Sequence, residues 1–566
     1  MSNPEFPQTD PRRHDLDALR AFAMLMGIAL HASLSFTGFP WIVQDSHSSF
    51  AFALMVAAVH GFRMQLFMLV SGFFTMMLYR KRGLRSLLNQ RTRRVLLPCL
   101  LGLVTIVPAL DFVSYKAMQN SPSRARIPLD GSRPAILEAI RRGDAETLKK
   151  ELEAGADPNQ LDSAFGIPLL SWAALKGDIE SARILLDAGA NANLRSINGS
   201  RPVHHAAFLG HAGIVDLLAA RGADLAARSD KGDSAADVAR ADDRATSYYA
   251  RVLGLKPREQ AALEQGRAEC LSILEKHFET SANPVPLELP GILTRARSAY
   301  SGWLDSDRFL TSWTRFGKAV QLFKTDIFHH LWFLWYLCWL VAAFAITAIP
   351  FGRSSVATPP WKTFEGPIGF AGLIVLTTIP SLFMGVSAAG ALGPDTSTGL
   401  LPMPHLLVYY GLFFFYGAIL YDGGEAAFAR CDRFMWLRVG LFLALPASLA
   451  TYGNTVASAV AQSIYAWCMI FGLMGLFRRR LSAGNGTIRY ISDSSYWLYL
   501  AHLPLVVAGQ AWIAPWNLPS GIKFTMLTAC STALLLLSYQ AFVRNTWVGR
   551  LLNGPKKAIV APPETS

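Results

Sequence analysis

Apolar residues in this chain come in long unbroken runs, and polar residues collect between the runs. Ten runs approach the about 20 residues that a helix needs to cross the hydrocarbon core of a bilayer. They cover 18–38, 53–79, 95–115, 328–350, 366–386, 405–421, 436–453, 455–477, 490–512 and 522–543. Two are short, 405–421 and 436–453, and Pro446 lies inside the second. The first run follows a polar start without a clear small-residue cleavage site, so it is expected to stay as a first helix. The stretch between Lys116 and Ile327 breaks the pattern, being polar with short amphipathic periods. The expected fold class is all-α: a polytopic membrane bundle of about ten transmembrane helices carrying a helical insertion after the third.

The insertion repeats itself. Gly166-Ile-Pro-Leu-Leu-Ser-Trp-Ala-Ala174 parallels Gly199-Ser-Arg-Pro-Val-His-His-Ala-Ala207, and Leu185-Leu-Asp-Ala-Gly-Ala-Asn191 parallels Leu217-Leu-Ala-Ala-Arg-Gly-Ala-Asp224. Gly166, Gly199 and Gly232 are 33 apart, the ankyrin period of a turn followed by two short helices. An earlier copy runs from Leu137 to Asp157, and a degenerate fourth begins at Gly232 and extends toward His277. Each repeat buries its face only against its neighbours, so three or four copies make a minimal solenoid. His204 and His205 invite a metal reading, but a histidine at the first of these places suits a hydrogen bond between repeats better. The expected domains are 1–118 and 328–566 in the membrane, ankyrin repeats over 125–280, and a linker with an interfacial piece over 281–327. That last piece carries Pro284, Pro286 and Pro290, then Trp303, Trp313 and Phe316.

Composition sharpens this picture. Of 566 residues, 52% are hydrophobic and only 16% charged, against about 25% charged in a soluble domain. The net charge is +13, but it does not point to nucleic acid. Residues 116–327 hold 28 Lys+Arg against 27 Asp+Glu, so the insertion is nearly neutral; the rest holds 25 against 13. The excess accompanies the apolar runs, as membrane orientation signals do. Six clusters alternate with nearly uncharged loops: Arg12/Arg13/Arg20, Arg80 to Arg94, Arg353/Lys362, Arg430/Arg433/Arg438, Arg478 to Arg489, and Arg544/Arg550/Lys556/Lys557. In a ten-helix arrangement all six fall on one side, which places both termini in the cytoplasm and the ankyrin repeats outside. The six cysteines show no metal-binding spacing, and no metal site is expected.

Ionisable side chains inside spanning helices need a reason. In the first helix, Arg20 and His31 are eleven residues apart, close to three turns, so they share a face about 16 Å apart along the axis. A neutral histidine is a good general base. In the second helix Arg63 lies too deep for easy snorkelling, with His60 just before it. Arg91 and Arg94 end the loop after that helix; arginine forks bind phosphate oxygens well. His330 opens the fourth helix, and Tyr499 and His502 share a face of the ninth, just before Pro504.

Together these runs are similar to membrane acyltransferase family 3, and within it to the glucans biosynthesis protein C branch, the succinyltransferases of periplasmic glucans. The likeness rests on Arg20-x10-His31, Phe62-Arg63-Met64 with Leu66-Phe67 and Ser71-Gly72-Phe73-Phe74, Arg91/Arg94 to Pro98, His330-Leu-Trp-Phe-Leu, and Tyr496-Trp-Leu-Tyr-Leu-Ala-His502. It covers about 1–118 and 328–545; the ankyrin insertion departs from it. The resemblance implies a bacterial inner-membrane O-acyltransferase with no permanently bound cofactor. The donor would be a cytoplasmic acyl-CoA, succinyl-CoA or acetyl-CoA, and the acceptor a hydroxyl of an extracytoplasmic glycan. It implies His31 as general base, Arg63 on the oxyanion or on a succinyl carboxylate, and Arg20, Arg91 and Arg94 on the CoA phosphates. His60, His330, Tyr499 and His502 would line the substrate site. The lipid bilayer is a partner throughout, and a protein partner suits the ankyrin face. Two other classes stay open at this point: an ankyrin-bearing channel or transporter, and a membrane-anchored ankyrin interaction module.

Overall fold

The computed structural model describes residues 13–554 except 38–40, 44, 46, 48, 121–134, 163–165, 197–198, 230–232, 241–245, 247–249, 251–252, 254, 256–257, 280–288, 305, 316–317, 352–365, 386–392, 430–432, 452–454 and 483–484. Arg12, Gly232, Pro284, Pro286, Phe316, Arg353, Lys362, Arg430, Lys556 and Lys557 therefore lie outside the described residues.

The membrane part opens with α1 (His14–Ser33), α2 (Phe50–Arg91) and α3 (Leu97–Asn120). The stretch from Arg80 to Arg94, expected as a loop, is helical instead. Gly83 breaks it with φ 79°, a left-handed value that a residue without Cβ adopts easily. A π-helical turn at Thr92–Leu96 then leads into α3.

The ankyrin helices pair as α4 (Ala135–Arg142) with α5 (Ala145–Glu153), α6 (Leu169–Lys176) with α7 (Ile179–Asp187), and α8 (Pro202–Phe208) with α9 (Ala212–Ala220). Gly143, Gly177 and Gly210 each follow the first helix of a pair with φ between 67° and 77°, the left-handed stop that glycine supplies. The next helix of each of the first two pairs starts on an aspartate cap: Asp144 accepts from Thr147 N–H and Asp178 from Ser181 N–H. Asparagines stitch one repeat to the next: Asn159 accepts from Asn191 N–H at 2.7 Å, and Asn193 accepts from Asp224 N–H at 2.7 Å. A short α10 (Ala235–Ala239) and the long α11 (Gln260–Glu279) close the stack. Arg258 and Arg267 on that closing segment donate to the carbonyls of Gly210 and Phe208. His204 bonds the carbonyl of Asp233 at 3.1 Å and receives Arg201 N–H, so its role is the inter-repeat bond.

After the insertion, α12 (Leu289–Leu304) runs into a two-stranded antiparallel hairpin, β1 (Leu310–Arg315) and β2 (Lys318–Gln321). The all-α expectation is amended by this hairpin alone among the described residues. The chain continues as α13 (Trp332–Phe351), α14 (Gly366–Ser381), α15 (Pro404–Asp422), α16 (Gly424–Phe428), α17 (Met435–Ala450), α18 (Thr455–Leu481), α19 (Gly486–Ile513), α20 (Ser520–Ser538) and α21 (Trp547–Asn553).

The described residues of all ten expected apolar runs are largely helical, but the count of about ten spans is not what length and composition show. Six described helical stretches are long and apolar enough to cross a membrane: His14–Phe36, Phe50–Ala117, His329–Ile349, Pro404–Asp422, Thr455–Leu481 and Ser520–Val543. The second has 68 residues, about 100 Å of helix at about 1.5 Å per residue, and so contains two expected runs. Gly366–Ser381 and Met435–Ala450 are apolar but shorter, and α19 is not among the six. These helices turn large apolar side chains outward; Ile368 is 87% exposed and Phe442 75%, as expected where lipid is the solvent.

Buried residues form one large membrane-part core, a small satellite cluster of Val43, Leu110, Ala117, Leu503 and Val507, and a separate ankyrin core. In the former, α2 and α15 come into backbone contact. A Cβ on Gly72 would overlap the Phe414 carbonyl, and one on Gly417 the Leu69 carbonyl. Small residues permit this approach in membrane bundles. Gln65 meets Tyr409 and Arg80 meets Asp422, so α2 and α15 run in the same direction. Arg20 meets Ser492 and His31 meets His502, so α1 and α19 are also parallel. One end of the bundle gathers Arg13, Arg478 and Glu425, with Arg80 and Asp422. At the far end, Lys523 pairs with Asp45 at 2.7 Å.

Candidate active site

Two parallel helices build the centre. His31 sits in the last turn of α1, and His502 lies beside it on α19. His31 Nδ1 and His502 Nε2 are 2.9 Å apart. His330, in the 3-10 turn His329–Leu331 that leads into α13, packs edge-on against His502 with ring centres 5.4 Å apart, and its Nε2 bonds the Leu500 carbonyl at 3.0 Å. Tyr499 donates its hydroxyl hydrogen to the His330 carbonyl. Four of the sequence-predicted residues, His31, His330, Tyr499 and His502, therefore form one cluster drawn from three helices.

Arg63 reaches the same cluster from α2. Its guanidinium lies over Gly27, where a Cβ would overlap it, one turn before His31. Its one hydrogen bond among the described residues is to Met64 Sδ at 3.6 Å, and its Nε has no partner. No carboxylate among the described residues pairs with it. A buried guanidinium without a counter-ion is costly in an apolar bundle. Its surroundings are suited to an anionic group that arrives with substrate or forms during reaction. Among the other buried polar atoms without a partner are His330 Nδ1, in the cluster itself, and Gln65 Oε1, two residues after Arg63.

His60 is not in the cluster. Its Nε2 bonds the Pro394 carbonyl at 2.9 Å, and its ring packs on Gly393. The three arginines expected at the donor phosphates stand lower in the bundle and do not converge through any described contact. Arg20 donates to Ser492 Oγ at 2.9 Å and lies 3.6 Å from Asp17. Arg91 turns inward to Thr75 Oγ1 at 2.7 Å. Arg94 lies against Gly554, and its carbonyl accepts the Tyr496 hydroxyl at 2.7 Å.

The sequence reading missed the residues that brace the cluster. Gln510 donates to the His31 carbonyl at 2.8 Å and accepts from Trp41 Nε1 at 2.9 Å. Lys523 and Asp45, 0% and 2% exposed, tie the α1–α2 connection to α20. Gln510 and Lys523 are lone polar residues in or beside apolar runs, which is a legible signal. Asp45 and Trp41 lie in a loop and carry none.

Comparison with known proteins bears on this geometry. The family profile described as an acyltransferase domain matches residues 13–122 and 292–540, and one described as ankyrin repeats in three copies matches 136–229. Glucans biosynthesis protein C of Escherichia coli strain K12 is 34% identical over 119 residues, 21% of this chain and 30% of that protein. The same-named protein of Salmonella paratyphi B is 35% identical over 109 residues, 19% of this chain and 27% of that protein. The likeness thus spans less than a third of these relatives. The acyltransferase profile resumes at residue 292, so it takes in α12 and the hairpin as well as the helices that follow.

Proposed function

This chain belongs to the acyltransferase 3 family, and on that footing we propose that it transfers an acyl group from a cytoplasmic acyl-CoA to a hydroxyl of an extracytoplasmic glycan. The observation that carries the reading is the meeting of His31 with Arg63, which has no counter-ion among the described residues, inside the bundle. The acceptor hydroxyl gives its proton to His31, and its oxygen bonds to the thioester carbonyl carbon. Arg63 faces the charge that develops on the carbonyl oxygen. The C–S bond then breaks, and the CoA sulfur takes the proton back from His31.

The basic end, where Arg13, Arg80 and Arg478 meet Glu425 and Asp422, is the cytoplasmic end in this reading. Arg91 and Arg94, at the turn from α2 to α3, are the groups that hold the CoA phosphates, and Arg20 is the third. The ankyrin stack then hangs on the periplasmic side of a bacterial inner membrane, where it binds a protein. Parallel pairing of α1 with α19 and of α2 with α15 agrees with a ten-span order, in which each pair crosses in the same direction. The relatives' name supports a glucan acceptor, and succinyl is the first donor to try.

The test is transfer of label from succinyl-CoA and acetyl-CoA to periplasmic glucans in membranes holding wild type or His31→Ala. Label that appears with wild type and is lost in an inserted His31→Ala supports the reading. No label from either donor on any glycan, with the protein shown to be folded, overturns it. If Arg63→Ala costs succinyl transfer more than acetyl transfer, Arg63 selects a carboxylate; equal loss assigns it to the oxyanion. Unchanged apparent affinity for acyl-CoA in Arg91→Gln/Arg94→Gln removes those two from the donor site.

A further inference from the structure

We infer that His502 is a positioning residue that fixes the tautomer of His31, so that the bare Nε2 of His31 faces the acceptor hydroxyl. The inference rests on the reading of His31 as the base. It follows from counting hydrogens along one chain of bonds. His502 Nδ1 faces two carbonyl oxygens, Leu498 at 3.1 Å and Tyr499 at 2.8 Å. Carbonyls only accept, so this Nδ1 carries a hydrogen. In a neutral ring the other nitrogen, Nε2, is then an acceptor. It stands 2.9 Å from His31 Nδ1, which must supply the hydrogen; the Gly27 carbonyl, one turn back on α1, is a second acceptor for the His31 ring. His31 Nε2 is thereby left with its lone pair, the form that takes a proton. The opposite tautomer would place a hydrogen on Nε2 and leave the ring unable to act on the hydroxyl.

α19 holds His31 at two points. His502 grips the ring, and Gln510, eight residues on, grips the backbone through the carbonyls of His31 and Ala32. Trp41, whose ring faces that of His31 at 6.3 Å, bonds the same Gln510 amide and fixes its orientation. His330 lies against His502 with its own Nε2 committed to the Leu500 carbonyl, so it does not compete for His502 Nε2. During transfer the hydroxyl proton goes to His31 Nε2 and leaves from there to the CoA sulfur. The Nδ1 hydrogen stays on its bond to His502 throughout, so His502 stabilises the transient imidazolium without gaining or losing a proton.

The test is ring ¹⁵N spectroscopy of the full chain in lipid nanodiscs, with His31→Gln used to assign the His31 signals. The expected result is a protonated Nδ1 and an unprotonated Nε2 on His31 in wild type. His502→Phe abolishes that pattern, and His502→Gln, whose amide oxygen can accept from His31 Nδ1, restores it. In transfer assays His502→Phe lowers kcat by about 10²–10⁴-fold with little change in KM, and His502→Gln recovers most of the loss. A hydrogen on His31 Nε2 in wild type overturns the inference without any variant. So does a pattern unchanged in His502→Phe, or equal losses in kcat for the two variants. The spectrum does not depend on turnover. The expected tautomer in a protein that transfers no acyl group to any acceptor overturns the enzyme reading alone.

Discussion

Arg63 shows how much one side chain can say. It is charged, buried under Gly27, and without a carboxylate partner among the described residues. Such a group is retained against its own desolvation penalty, so stability and function should separate on mutation. Arg63→Met is expected to lower transfer by about 10²–10³-fold, the usual effect of losing one oxyanion donor, while thermal stability in detergent stays level or rises. A large drop in melting temperature would mean that Arg63 serves the fold instead. Lys523 is the opposite case. It is more deeply buried than Arg63, at 0% exposed, but it bonds Asp45 at 2.7 Å and the Ala514 carbonyl at 3.2 Å. Lys523→Met alone leaves the buried Asp45 carboxylate with only its His47 contacts among the described residues and is expected to destabilise by about 3–5 kcal/mol; Lys523→Met with Asp45→Leu should regain most of that. Denaturation of the two variants side by side measures the difference.

At the scale of the element, the close pairing of α2 with α15 sets where Arg63 can be. Gly72 and Gly417 face carbonyls of the opposite helix with no room for a Cβ. In each case the neighbour is backbone rather than a flexible side chain, so neither can give locally. Gly417→Val is expected to push α15 from α2, at about 1–3 kcal/mol for overpacking, and to reduce transfer even though residue 417 touches no site residue. Normal activity and yield in that variant would show that the contact is slack. The ankyrin elements obey a different economy, in which short helices are set by local turn glycines, by aspartate caps at Asp144 and Asp178, and by asparagine stitches between repeats. That local completeness explains why their order is plain from the chain alone, whereas the kink at Gly83 is not.

At the scale of the molecule, two cores with no shared residue should respond differently to acid. Burial holds His205 at about 3 and His211 at about 4, below the ordinary 6.5. Both stay neutral in the folded stack and take up protons on unfolding below about 6.5. Their contribution is therefore fully present above that pH and is lost as pH falls toward 4 and then 3. Hydrogen exchange over 135–279 in the full chain is expected to accelerate between pH 6.5 and 4. His205→Gln/His211→Gln should flatten that dependence; an unchanged pH profile would assign the acid sensitivity to other groups.

The division between chain and fold follows from range. Apolar runs, repeat period, cap residues and basic clusters are local patterns, so helices, ankyrin copies and the basic clusters were legible as residues in a row, although the helical course of Arg80 to Arg94 was not. His31, Arg63, His330, Tyr499 and His502 stood out individually because an ionisable or polar group in an apolar run is anomalous wherever it ends up. What the row of letters does not contain is which anomalies meet. His60 is only three residues from Arg63, yet its ring turns to Pro394, while His502 comes from the far end of the chain to meet His31. Trp41, Asp45 and Gln510 acquire their roles only when α19 and α20 pack against α1. The tautomer of His31 is settled further out still, by two carbonyls on α19. Hydrogen-bond partners across a bundle depend on helix rotation and register, which the summed packing of many apolar contacts decides, and no local pattern encodes that sum.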